Sequence, residues 1–133
     1  MSDVELKKMS FKSGMELKVT GVPKSSYRSF MINVGQSRES IALHFNPRFH
    51  CGDDQQVTVL NSCKDGHWQE EVRDGNFPFQ QGKEFEVTIT FADDKFYINQ
   101  HNGHVLQFPN RLGDKQYDYI FIEQATVSGI NIK

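Results

Sequence analysis

Nothing in this 133-residue chain supplies a disulfide framework, a membrane span or a strong charge of one sign. The two cysteines, Cys51 and Cys63, have no framework spacing, which fits a reduced, cytosolic setting. No apolar run approaches the ~20 residues a bilayer requires, so no membrane insertion is expected. The net charge is −2, which gives no global attraction to nucleic acid or to an anionic surface. Asp3, Glu5, Lys7, Lys8, Lys12, Glu16 and Lys18 interrupt the first twenty residues, so no signal-peptide core is expected there. Asn-x-Ser/Thr does not occur, so no standard glycosylation acceptor is present. Tryptophan occurs once, at Trp68.

Phenylalanine is abundant: eleven Phe and four Tyr favour strands. Alternation is the strongest pattern. Phe85, Val87, Ile89 and Phe91 interleave with Glu84, Glu86, Thr88 and Thr90. Met15, Leu17 and Val19 alternate with polar residues, and Phe30, Ile32 and Val34 flank Met31 and Asn33. Each stretch predicts a half-buried strand. Further strands are predicted at 40–49, 56–63, 67–73, 95–100, 104–108, 118–123 and 126–132. Asp65-Gly66 and Asn102-Gly103 signal hairpins. Gly52-Asp53-Asp54, Asp74-Gly75-Asn76 and Gly113-Asp114 mark loops. No sustained helical stripe appears. One all-β domain over residues 1–133 is expected, either a two-sheet antiparallel sandwich or a closed barrel.

Strand parity then selects a polar row. Successive side chains of a strand point to opposite faces. In 41–48, Ile41, Leu43 and Phe45 are expected to face the core, with His44, Asn46 and Arg48 on the other face. Pro47 interrupts the row at a position where an edge or a bulge is usual. Arginine donates in a fixed fork, asparagine donates and accepts, and neutral histidine does one of each. Together they can bracket one sugar hydroxyl. Downstream lie Asn61, Trp68, Glu71 and Arg73. Trp68 emerges from a polar stretch and offers a flat apolar plate for the C–H face of a sugar ring. Glu71 accepts from sugar hydroxyls, with Arg73 two positions on to orient it. Trp68 and Glu71 are three apart, so both reach one face only if the chain bends between them.

Other chemistries fit less well. Glycoside hydrolysis wants two carboxylates across a bond. Glu70, Glu71 and Asp74 qualify by type, and a hydrolase using Glu71 is the main alternative. The row at 44–48 brings no second acid. Ser62 and Cys63 lack a nucleophile motif. The histidines at 50, 101 and 104 show no zinc spacing, glycine-rich phosphate loops are absent, and no cofactor is expected. A closed-barrel lipid carrier would need an interior cavity and a lid, and no segment resembles the lid.

Taken together, HFNPRF at 44–49, VLNS at 59–62, WQEEVR at 68–73, FPF at 77–79 and FPNR at 108–111 resemble the galectin family. The pattern His-x-Asn-x-Arg, Val-x-Asn, Trp-x-x-Glu-x-Arg is filled by His44, Asn46, Arg48, Val59, Asn61, Trp68, Glu71 and Arg73. The resemblance implies a jelly-roll-like sandwich that binds β-galactoside glycans without metal and without catalysis. It assigns His44, Asn46 and Arg48 to the galactose 4-hydroxyl, Asn61 and Glu71 to the 6-hydroxyl, and Trp68 to the ring face. Glu71, Arg73 and Arg48 would reach the next sugar. Where many galectins carry a further histidine near the ligand, this chain reads His50-Cys51-Gly52-Asp53-Asp54. The resemblance also implies a cytosolic protein that leaves cells without a signal peptide. A homodimer through terminal strands is expected, since Val4 and Leu6 at one end and Val127, Ile130 and Ile132 at the other suit edge strands that pair across a two-fold axis.

Overall fold

The computed structural model describes residues 3–133. Among these residues, twelve strands form two antiparallel sheets. The larger runs, in spatial order, through β1 (Val4–Lys12), β11 (Gln116–Glu123), β3 (Met31–Gly35), β4 (Ile41–Cys51) and β5 (Asp54–Lys64). Two short strands, β6 (His67–Trp68) and β7 (Val72–Asp74), both pair with β5. The smaller sheet runs β10 (Val105–Pro109), β9 (Lys95–Gln100), β8 (Phe85–Ala92), β2 (Glu16–Pro23) and β12 (Ala125–Ile132). Each sheet keeps two edges, so the fold is a sandwich and the closed-barrel alternative is excluded. The terminal strands β1 and β12 each form an edge.

Aromatic packing joins the sheets. Phe30 stacks on Phe85 at 4.6 Å between centroids and meets Phe79 edge-on at 5.3 Å. Phe91 stacks on Phe96 at 4.9 Å and lies 5.8 Å from Phe11 of the opposite sheet. Each such ring, fully buried, contributes about 1.5–3 kcal/mol of transfer free energy. These rings fill the space a lipid carrier would need for its cargo. The alternation predicted for β8 is met: Phe85, Val87, Ile89 and Phe91 are buried while the residues between them are partly or fully exposed.

Two expectations are corrected. Ile41 does not join Leu43 and Phe45 in the main core. It packs on the other face of the sheet with Cys63, Tyr119 and Phe121. The cause is a bulge: Val34 pairs with Leu43 but Gly35 with Ile41, so Ala42 is an extra residue and the parity flips there. Gly35 permits the close approach, because a Cβ at that position would lie 2.3 Å from the Ser40 carbonyl oxygen. The strand expected over 67–73 is broken. Trp68 pairs with Cys63 and Val72 with Leu60, so the chain between them holds one residue more than the facing strand. Residues 69–71 leave the ladder, which supplies the bend that Trp68 and Glu71 need to share a face.

Candidate functional site

The outward face of β4 and β5 forms the floor of the site. Register puts His44 beside Asn61, and Asn46 beside Val59, which in turn faces Arg73. Pro47 does not disturb this. Its carbonyl accepts from Phe30 N at 3.2 Å, the Phe30 carbonyl that its missing N–H would have met accepts instead from Asn46 Nδ2 at 2.8 Å, and pairing resumes beyond it between Ser29 and Arg48. Arg48 therefore stays on the same face as His44.

An open hollow of about 540 Å³ lies over this floor, lined by Met31, His44, Arg48, Val59, Asn61, Trp68, Gln69 and Glu71. Six of the eight residues expected from the sequence thus line one space. The other two adjoin it. Asn46 is 5% exposed and accepts from Arg48 Nε at 2.9 Å while donating to the Phe30 carbonyl at 2.8 Å. Arg73 donates to Glu71 through Nε and Nη2, at 3.2 and 2.9 Å.

Trp68 is 53% exposed, with its ring centroid 4.7 Å from that of His44. A lone tryptophan is usually mostly buried. Here it is displayed by a two-residue turn, with Asp65 at φ 52° and Gly66 at φ 83°, the left-handed pair that tight hairpins demand. Beyond Trp68, Arg111 holds the break at 69–71, donating through Nη1 to the Glu70 carbonyl at 2.8 Å and to Ser62 Oγ at 3.2 Å. Its position in FPNR was legible; its role as a strut was not.

Asp54, which the Gly52-Asp53-Asp54 signal places in a loop, belongs to the site. It opens β5, accepting from Arg48 Nη1 and from Arg73 Nη1, each at 2.7 Å. With Arg48 Nη2 3.9 Å from Glu71, Arg48, Asp54, Arg73 and Glu71 close a ring of alternating charge. The hydrogen bonds from Arg73 and Arg48 hold the Asp54 carboxyl below its usual range. Alternation could not place Asp54 on this face. Gln56 has φ 50°, a left-handed residue inside the strand, and Thr58 beyond it is fully buried.

His44 accounts for a pH dependence. Burial, helped by the Arg48 charge and opposed by Glu71, lowers its pKa to about 4. An unfolded imidazole titrates near pH 6.5, so below that pH the unfolded chain takes up a proton that the folded chain resists. The contribution of His44 to stability is present above pH 6.5 and is lost as pH falls toward 4. Between pH 7 and 4.5 this amounts to ~2 kcal/mol. Urea unfolding should therefore show wild type losing about 2 kcal/mol more than His44→Gln over that interval. Equal losses in the two proteins would contradict a neutral His44. Among the described residues no group of three or more His, Cys, Asp or Glu side chains is placed to hold a metal.

A family model described as galactoside-binding lectin matches residues 3–132. The chain is similar to a beta-galactoside-binding lectin of Electrophorus electricus, 47% identical over 100% of this chain and 99% of that one. It is also similar to Galectin-2 of Mus musculus, 38% identical over 97% of this chain and 96% of the other. A solved structure of congerin II carrying lactose and MES superposes with a TM-score of 0.94, is 42% identical, and covers 98% of each chain. The matching sandwich, the near-complete coverage and the family model agree, and the chain belongs to the galactoside-binding lectin family.

Proposed function

We propose that the chain binds β-galactosides of the lactose and N-acetyllactosamine type, with no metal and no chemical step. The observation that carries this is an exposed Trp68 ring bordering the same hollow as His44, Arg48, Asn61 and Glu71. An axial 4-hydroxyl meets His44 and Arg48, with Asn46 fixing the guanidinium. The 6-hydroxyl meets Asn61 and Glu71. The C–H face of galactose lies on Trp68, with Val59 on the floor beneath the ring. Glu71, Arg73 and Arg48 take the second sugar. Hydrolysis is a poor fit at this hollow. Glu71, the carboxylate that lines it, and Asp54 nearby are both engaged by guanidinium groups, and Asp54 is held ionised rather than ready to donate a proton.

Edge strands β1 and β12 support a two-fold dimer in which the free edges pair. Two sites per particle would crosslink glycans and offset weak single-site binding. The free thiols of Cys51 and Cys63 support a working life in the cytosol.

Titration with lactose should shift Trp68 fluorescence saturably, whereas sucrose, which has no galactose, should leave it unchanged. EDTA should not alter the lactose curve. An equal response to both sugars would remove the galactoside assignment, and loss of binding on chelation would point to a metal-dependent site.

A further inference from the structure

Asn33 lies on β3, beside the hollow but not among its lining residues, and is 1% exposed. It pairs with His44 on one side and Phe121 on the other. Its side chain bonds to both neighbours. Nδ2 donates to the Phe121 carbonyl at 3.3 Å, and Oδ1 lies 2.5 Å from His44 Nδ1. A backbone carbonyl only accepts, so the contact to Phe121 fixes which end of the amide is nitrogen. The end facing His44 is then the oxygen, which only accepts. His44 Nδ1 must carry the ring proton. In a neutral imidazole this leaves Nε2 with an unshared pair and no hydrogen. Among the described residues Nε2 has no hydrogen-bond partner, and the ring borders the hollow.

We propose that Asn33 is the residue that sets the His44 tautomer and, through it, the donor-acceptor balance that this site offers to the group at the galactose 4-position. This rests on the galactoside reading above. Arg48 can only donate and His44 Nε2 can only accept, so the group between them must accept from one and donate to the other. A hydroxyl does both. An ether, a fluorine or a carbonyl does not. With the opposite tautomer both side chains would donate, and the site would favour a group that only accepts. Asn33 touches no sugar in this arrangement; it is a positioning residue that acts through His44.

The ring protons of His44 are observable by multiple-bond ¹H–¹⁵N NMR of the unliganded protein, with His44→Gln to assign the signal. Wild type at pH 7.5 should carry the proton on Nδ1. Asn33→Leu, or Asn33→Ala should the leucine variant not fold, should move the ring toward a mixture of tautomers. The same variant should bind lactose about fivefold to tenfold more weakly. Its preference for lactose over 4′-deoxy-4′-fluorolactose should narrow by a similar factor. Asn33→Asp at pH 9, well above imidazole protonation, keeps an acceptor at Nδ1 and should restore both the tautomer and the preference. A purely structural role would weaken both sugars alike and leave the tautomer in place. A proton on Nε2 in wild type, or a tautomer and sugar preference unmoved in the Asn33 variants, would overturn the proposal. Wild type that fails to bind lactose while showing the Nδ1 proton would instead count against the galactoside reading.

Discussion

Arg48→His is expected to weaken lactose binding at least a hundredfold while the protein stays folded. Arg48 is held before any ligand arrives, with Nε on Asn46 at 2.9 Å, Nη1 on Asp54 at 2.7 Å and Nη2 3.9 Å from Glu71. Three neighbours thus fix the plane of the fork that faces the hollow. Imidazole is shorter, lacks the fork and carries no fixed charge near neutral pH. A hydrogen bond from a charged donor contributes ~1.5–3 kcal/mol, so loss of two such contacts to the sugar exceeds a hundredfold in affinity. Asn46 also loses the donor to its Oδ1, and Asp54 keeps only the bond from Arg73. Arg48→Lys keeps the charge without the geometry and should fall between wild type and histidine. Calorimetric titration with lactose measures all three proteins. Affinity within fivefold of wild type in Arg48→His would mean that the row on β4 does not grip the sugar. Because the guanidinium is partly solvated, the fold should tolerate its loss, with a melting temperature only a few degrees lower.

Trp68→Ala is expected to cost about fiftyfold in lactose affinity, from the apolar area no longer covered and the lost contact with the ring face. The indole is 53% exposed, so truncating it opens no cavity in the core and should leave stability nearly unchanged. That separates it from the buried phenylalanines, whose truncation costs about 3–5 kcal/mol. Trp68→Phe retains a smaller plate and should lose less than the alanine variant. Titration calorimetry is the suitable measurement, since the fluorophore is gone. Retained affinity in the alanine variant would contradict stacking.

What strand reasoning could see, and what it could not, divides along physical lines. The period of two separated His44, Asn46 and Arg48 from Leu43 and Phe45, because β4 is regular through that stretch. It misplaced Ile41, because one extra residue at Ala42 reverses parity and leaves no mark in composition. The spacing of Trp68 and Glu71 demanded a bend, and the break at 69–71 provides it. Asp54 was hidden by the left-handed residue at Gln56. Asn33 lay on a strand that alternation identified, yet its bond to His44 depends on the register between β3 and β4, which a single sequence does not state. The juxtaposition of these side chains is implied only by the motif likeness; the folded chain sets their distances.

The ring formed by Arg48, Asp54, Arg73 and Glu71 holds two positive and two negative groups, so it projects little field beyond its own span. A neutral sugar is therefore not steered from afar, and ionic strength has little leverage over the encounter. The gain lies elsewhere. Long arginine side chains would each surrender roughly 2 kcal/mol of rotameric freedom if they were ordered only by ligand. Here their mutual grip has immobilised them on folding, so the sugar meets a stiff template rather than a flexible one.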